Sequence, residues 1–220
     1  MKNAETPVVK VVLYGAMSSL GSALMAEMLR RQHEVIAILD DLNALAPRPG
    51  MRTKTGDLFD AQRVRQSVAG SSVVICLLDA PGLPFNSEHV EKTVVPGPVE
   101  QVLAVDALID GMQAANIARL FLVGDFDVLD DPESEDSLQR HAAEEIREAL
   151  QNSSLKWTLV NEPRGVPGLT IEHFAQIGGN LEPGLTEPLA RLARTAVGIA
   201  DELHLNLHIG EHVNFIATDS

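Results

Sequence analysis

The chain has 220 residues, 45% of them apolar, enough to bury a full core as one domain or as one domain with a small appendage. Its formal net charge of −14 argues against nucleic acid and anionic membrane surfaces as partners, because phosphate would be repelled. Cys76 is the single cysteine, so no intrachain disulfide can form; with no signal-type leader and no apolar run of bilayer length, the expectation is a soluble, cytoplasmic protein.

The first element is the most telling. Val8 to Tyr14 is apolar and β-branched and ends at Gly15, which predicts a strand. A loop of small residues follows, and Gly21 opens an amphipathic helix with Leu24, Met25, Met28 and Leu29 on one face. Glycines let backbone N–H groups approach a ligand, and a helix N-terminus adds unpaired donors and a positive dipole end; together they make a pyrophosphate cradle. The loop reads G-x-x-S-x-x-G, with Ser18 in place of the middle glycine. The plainer alternative is a glycine-containing turn that merely packs well.

The second strand, Glu34 to Leu39, ends at Asp40, where a ribose-binding acid should lie. A carboxylate at Asp40 or Asp41 would accept from ribose hydroxyls and repel a 2′-phosphate, which favours NAD(H) over NADP(H). Arg48, Arg52 and Lys54 lie just beyond and could fold back toward such a phosphate; a solvated acidic turn is the remaining alternative.

Next come a Pro-rich loop at 47–50, a short strand at Arg52 to Thr55, and a helix from Asp60 to Ala69, capped by Asp60 and ended by Gly70. Ser72 to Leu78 is a continuous apolar run, as a strand buried on both faces requires. A loop runs from Ala80 to Pro98, and Pro98 starts a helix reaching about Ala115. Leu120 to Val123 is a strand, followed by an acidic loop and a helix from about Ser137 to Gln151. Lys156 to Val160 is the sixth strand. A Gly/Pro-rich stretch from Pro163 to Pro188 contains an apolar patch at Ile171 to Phe174; a helix at Leu189 to Leu203 and a strand at Val213 to Ala217 close the chain. This alternation predicts a Rossmann-like, doubly wound α/β fold: a mainly parallel sheet of about seven strands with helices on both faces. One domain over 1–220 is expected, with a small substrate-side region around 163–188.

Lesser features have bland readings. His204, His208 and His212 recur at helical spacing, but Asn206 and Gly210 interrupt the helix, so no metal is assigned. Cys76 in an apolar strand reads as an inert core thiol. The acidic run from Asp125 to Asp136 lacks the spacing of a calcium loop and reads as a solvated, mobile loop over the pocket. The helix carrying Val99, Val102, Leu103, Val105, Leu108, Ile109 and Met112 is apolar on more than one side; core packing explains most of that, and a homodimer helix is the other use.

Several motifs are shared, in order and spacing, with one superfamily: Gly15-Ala16…Gly21; Gly56-Asp57-Leu58…Asp60; Arg119 to Gly124; Ala143-Glu144-Glu145; Leu155 to Val160 with Pro163; and Ala200-Asp201-Glu202-Leu203 with downstream histidines. Over nearly its whole length the chain resembles the atypical short-chain dehydrogenase/reductase superfamily, in particular its small NAD(P)H-binding members of the NADH–flavin reductase-like and biliverdin reductase B-like type. The resemblance implies that Gly15, Met17, Ser18, Ser19, Leu20 and Gly21 hold a pyrophosphate. It also implies that Asp57 and Leu58 flank an adenine, and that Leu77, Leu78 and Asp79 line the ribose and nicotinamide side. Val123, Gly124 and Pro163 would sit near the nicotinamide.

One departure matters. Many members use a Tyr-x-x-x-Lys pair, but the single tyrosine here is Tyr14, followed four residues later by Ser18. Counting back from Ala143-Glu144, the pair's positions fall on Asp136 and Arg140, and the usual serine is missing from Val123-Gly124-Asp125. Carbonyl reduction, epimerisation and dehydration need a positioned acid or base, so they are disfavoured. Hydride transfer to a flavin, quinone or similar conjugated acceptor needs mainly orientation, with the proton drawn from solvent. The expectation is an NAD(P)H-binding oxidoreductase with flavin as one candidate substrate and no catalytic residue assigned. The alternative is a non-catalytic dinucleotide sensor, and a scaffold without cofactor is a third reading.

Overall fold

The structure, a computed structural model, describes residues 7–84, 95–130, 137–175 and 184–216. Seven strands form one sheet in the order β3-β2-β1-β4-β5-β6-β7, and every neighbouring pair is parallel. They are β1 Lys10–Tyr14, β2 Glu34–Leu39, β3 Met51–Thr55, β4 Val73–Leu77, β5 Arg119–Gly124, β6 Lys156–Asn161 and β7 Glu211–Val213. The central strands are the continuous apolar runs; β4 and β5 are buried at every position, because helices cover both faces. The helices are α1 Ser19–Arg30, α2 Ala61–Val68, α3 Pro98–Ala114, α4 Ser137–Asn152, α5 Ile171–Ala175 and α6 Thr186–Leu205. Helix α1 packs with α5 and α6, whereas α2, α3 and α4 pack in sequence with one another. This is the doubly wound fold read from the alternation of strand and helix patterns.

Strand order reverses between β1 and β4. Tyr14 pairs with Ile38 of β2 on one side and Cys76 of β4 on the other, so the three strands end together. The loops leaving β1 and β4 diverge there and open the crevice in which such sheets place ligands.

Several elements differ from the sequence reading. Helix α1 starts at Ser19 and not at Gly21, because Ser18 caps it. Helix α6 starts at Thr186, three residues before Leu189: Pro188 sits in the first turn, where its missing N–H costs nothing. A single turn of helix, α5, forms inside the stretch read as irregular, burying Ile171 and Phe174. The last strand ends at Val213, where the expected one begins. It is entered through Gly210, whose N–H donates to Trp157 O at 2.7 Å. Phe215 leaves the sheet and fills the space over Gly198 on α6.

The late histidines do not converge. His204 lies against the His33 ring, with centroids 5.5 Å apart. His208 Nδ1 lies 2.9 Å from Glu202 Oε1, and His212 Nε2 lies 2.6 Å from Asn161 Oδ1. Glu202 is buried beside Arg119, whose Nη1 donates to Lys156 O at 2.8 Å and Thr158 Oγ1 at 2.9 Å. This cluster ties α6 to the start of β5, at the opposite end of the sheet from the crevice. Cys76 and Tyr14 are both completely buried, and burial pushes thiol and phenol alike upward in pKa.

Candidate functional site

The crevice begins at Gly15. Its φ of +92° is a conformation that L side chains rarely adopt, and a Cβ there would lie 2.7 Å from the Cβ atoms of both Leu77 and Ala80. A Cβ on Gly21 would overlap the Gly15 carbonyl oxygen, so the loop lies directly on the first turn of α1. Between them Ser18 acts as the helix N-cap: its Oγ accepts from the Gly21 N–H at 2.9 Å and donates to Gly15 O at 3.0 Å. The serine that departs from the three-glycine pattern thus locks the loop instead of loosening it. The N–H groups of Ser19 and Leu20 lie in the first turn, where no intrahelical acceptor is available, and no acidic residue occupies that turn. Loop and helix end therefore fit an anion such as pyrophosphate, which meets free donors, the positive dipole end and no competing carboxylate.

The opposite wall is the segment after β6. Ser19 Oγ donates to Val166 O at 2.6 Å and accepts from Leu169 N–H at 3.0 Å, so one side chain of the cradle ties the far loop to α1. Between these walls lies a cleft of about 200 Å³ lined by Met17, Ser18, Ser19, Leu20, Asp79, Pro81, Glu162, Pro163, the 165–168 loop and Leu192.

Among the described residues, two carboxyl groups reach this cleft. Asp79 follows β4; its Oδ1 accepts from Gln101 Nε2 at 2.7 Å and its Oδ2 from the Asp125 N–H at 3.0 Å. Burial still holds its pKa above the ordinary carboxylate value, and the charge of Asp125 adds to the rise. Glu162 follows β6, and its N–H donates to Gly124 O at 2.9 Å. Its Oε2 is buried with no hydrogen-bond partner among the described residues. Burial first, then the neighbouring charge of Asp79, pushes the Glu162 carboxyl up to about 7.

Of the residues expected at the site, Met17, Ser18, Ser19, Leu20, Asp79 and Pro163 line one cleft, and Gly15 and Gly21 shape its loop. Leu58, Leu77, Leu78 and Val123 do not: they are at most 1% exposed and support the cleft from within the core. Gly124 is also buried; a Cβ there would lie 3.3 Å from Asp79 Oδ2. Asp40 and Asp57 stand apart, at the ends of β2 and β3. Asp40 is exposed, and Asp57 Oδ1 accepts from the Phe59 N–H at 2.9 Å. Arg48 is ion-paired with Glu172, and Lys54 Nζ donates to Ser67 O at 3.4 Å. Asp136, Gln176 and Asn180 lie outside the described residues. Sequence reasoning passed over Glu162, although it directly precedes Pro163 at the carboxyl end of a strand, where a sheet of this kind places its ligand.

A family model described as NAD(P)H-binding matches residues 15–201. No curated protein matches the chain. Among solved structures, a candidate exported protein from Burkholderia pseudomallei is 21% identical, with 94% of this chain and 98% of that chain covered and a TM-score of 0.64. A candidate epimerase from Bacteroides thetaiotaomicron is 21% identical over 94% of this chain and 96% of its own, with a TM-score of 0.63. A short-chain dehydrogenase/reductase from Veillonella parvula in complex with NADP is 12% identical over 94% of each chain, with a TM-score of 0.63. These three likenesses establish a common fold. The family match, which spans the glycine loop, the crevice and both of its walls, identifies the chain as a member of the NAD(P)H-binding family.

Proposed function

We propose that the protein binds NAD(H) and reduces a conjugated acceptor of the flavin or quinone class by hydride transfer. The observation that carries this reading is the chemistry of the cleft wall. The one tyrosine of the chain is 0% exposed within β1, and the polar side chains lining the cleft are Ser18, Ser19, Asp79 and Glu162, with no lysine among the lining residues. Such a wall offers no phenol–ammonium pair for a carbonyl oxygen. When bound, the dinucleotide would supply the hydride. The residues that would hold it are the cradle's Ser19 and Leu20 N–H groups, with Asp79 and Pro163 along the cleft.

The preference for NAD(H) over NADP(H) rests on charge. Asp40 closes β2 with an exposed carboxylate, whereas Arg48 is engaged by Glu172, Lys54 by a carbonyl, and Arg52 sits beside Ile36, four residues before Asp40 and toward the other end of the strands. The test is NADH oxidation by the purified protein with FMN and with a simple quinone, against a protein-free control. Turnover above the control supports the reading. Saturable binding without turnover would instead be the signature of a dinucleotide sensor.

A further inference from the structure

We infer that Glu162 is the proton donor of this cleft, delivering its carboxylic proton to the reduced acceptor bound beside Asp79 and Pro163. The inference rests on the reductase reading above and corrects one part of it: the proton comes from a placed side chain and not directly from solvent. Glu162 is held by its own backbone, since its N–H continues the β5–β6 ladder one step beyond Asn161 and Pro163 stiffens the next residue. Its side chain lines the same cleft as the cradle, and Oε2 is a buried oxygen with no partner among the described residues. A buried polar atom without a partner is costly, so its presence in a cleft points to a partner that arrives with the ligand.

The surroundings favour the protonated form of this carboxyl. Asp79 faces it from the end of β4, and Asp125 stands behind Asp79. On α6, Arg191 is paired with Glu187 and donates to Arg164 O at 3.2 Å. On β7, His212 is directed to Asn161, with Nδ1 3.5 Å from Asp130. The first turn of α1 carries no acidic residue, and its contribution to the cleft wall is Ser19 and Leu20. Among the described residues no cation is therefore set against Glu162, while burial and the Asp79 charge both oppose its ionisation. The resulting pKa of about 7 is matched to donating a proton near neutral pH.

The step balances simply. The acceptor, a quinone or flavin, has gained two electrons and one hydrogen as hydride from the reduced nicotinamide and is an anion. The Glu162 O–H bond breaks, the proton bonds to the oxygen or nitrogen that carries the new charge, and the electron pair stays on the carboxylate. Water at the open side of the cleft then returns a proton to Glu162.

The experiment compares the wild type with Glu162→Gln and Glu162→Asp, using NADH and a simple quinone from about pH 5.5 to about pH 8.5. Thermal melts without nucleotide are recorded over the same range. The wild-type kcat is expected to fall as pH rises through about 7. Glu162→Gln should lower kcat at least about tenfold at the acid end and flatten the profile, with NADH affinity little changed. Glu162→Asp should keep a pH-dependent profile at a reduced rate, and the fall in melting temperature as pH rises to about 7 should be smaller in Glu162→Gln than in the wild type. An active wild type whose kcat and pH profile are unchanged in Glu162→Gln overturns this inference and leaves the reductase reading standing. A wild type that oxidises no NADH with any acceptor overturns the reductase reading and the inference with it.

Discussion

A serine in the middle of a glycine loop gives up some closeness to a ligand and gains a helix cap. Ser18 makes that exchange, and the glycines on either side carry the steric demand. Gly21 is the stricter of the two in contact: a Cβ would overlap the Gly15 carbonyl, which is backbone and cannot swing aside. Gly21→Ala should therefore cost about 1–3 kcal/mol, as overpacking does, and weaken dinucleotide binding with it; denaturant melts and an NADH titration check both. Glu162 carries the second residue-scale prediction. Its folded pKa of about 7 lies above its ordinary value of 4.5, so the folded chain holds that proton more tightly than the unfolded chain. Its contribution to stability is complete below about pH 4.5 and is lost as pH rises to about 7, on the order of 3 kcal/mol in all. Glu162→Gln should remove that slope and be the more stable protein at pH 8, read from denaturant midpoints at several pH values.

Elements were legible wherever one signal dominated. Continuous apolar runs marked β1, β2, β4 and β5, and a capping aspartate with a terminal glycine marked α2: Asp60 Oδ1 accepts from the Gln62 N–H at 2.8 Å, and Gly70 takes φ +76°. They were misread where tertiary packing overrode the local pattern. Val213 to Ala217 alternates like a strand, but Phe215 is worth more against Gly198 than in the sheet. Pro188 looks like a barrier to a helix until its place in the first turn is known. α5 is too short to leave a periodic signal. The contact between α2 and α3 gives an element-scale test. Gly111 on α3 lets the helices touch, since a Cβ there would lie 2.6 Å from Val64 Cβ and 2.7 Å from Ala61 O. Gly111→Ala should destabilise by about 1–3 kcal/mol despite its better helix propensity, because it wedges the two helices apart; a urea midpoint shift at unchanged slope would show it.

At the scale of the whole molecule, the cleft lies where the strand order reverses between β1 and β4, and that much followed from the alternation of strands and helices. The wall built by the 162–168 segment did not. Ser19 reaches Val166 and Leu169 across a separation of 147 and 150 residues, a closeness that no local pattern encodes. The net charge of −14 and the exposed Asp40 act in the same direction on a ligand that adds a third phosphate. NADPH should consequently bind about tenfold or more weakly than NADH, and Asp40→Ala should narrow the gap; paired titrations at one salt concentration decide it.

Met17 is the position at which to ask whether the β1–α1 loop and its helix end hold the dinucleotide. It lines the cleft yet is 39% exposed, so a carboxylate there adds charge without touching the core. The measurement is a fluorescence titration of NADH into the wild type and Met17→Asp, with melting curves of both proteins. A dinucleotide seated on this loop should give saturable binding to the wild type, affinity for Met17→Asp at least about tenfold lower through charge repulsion at short range, and nearly coincident melts. Equal affinity in the two proteins, or no saturable binding by the wild type, would contradict it.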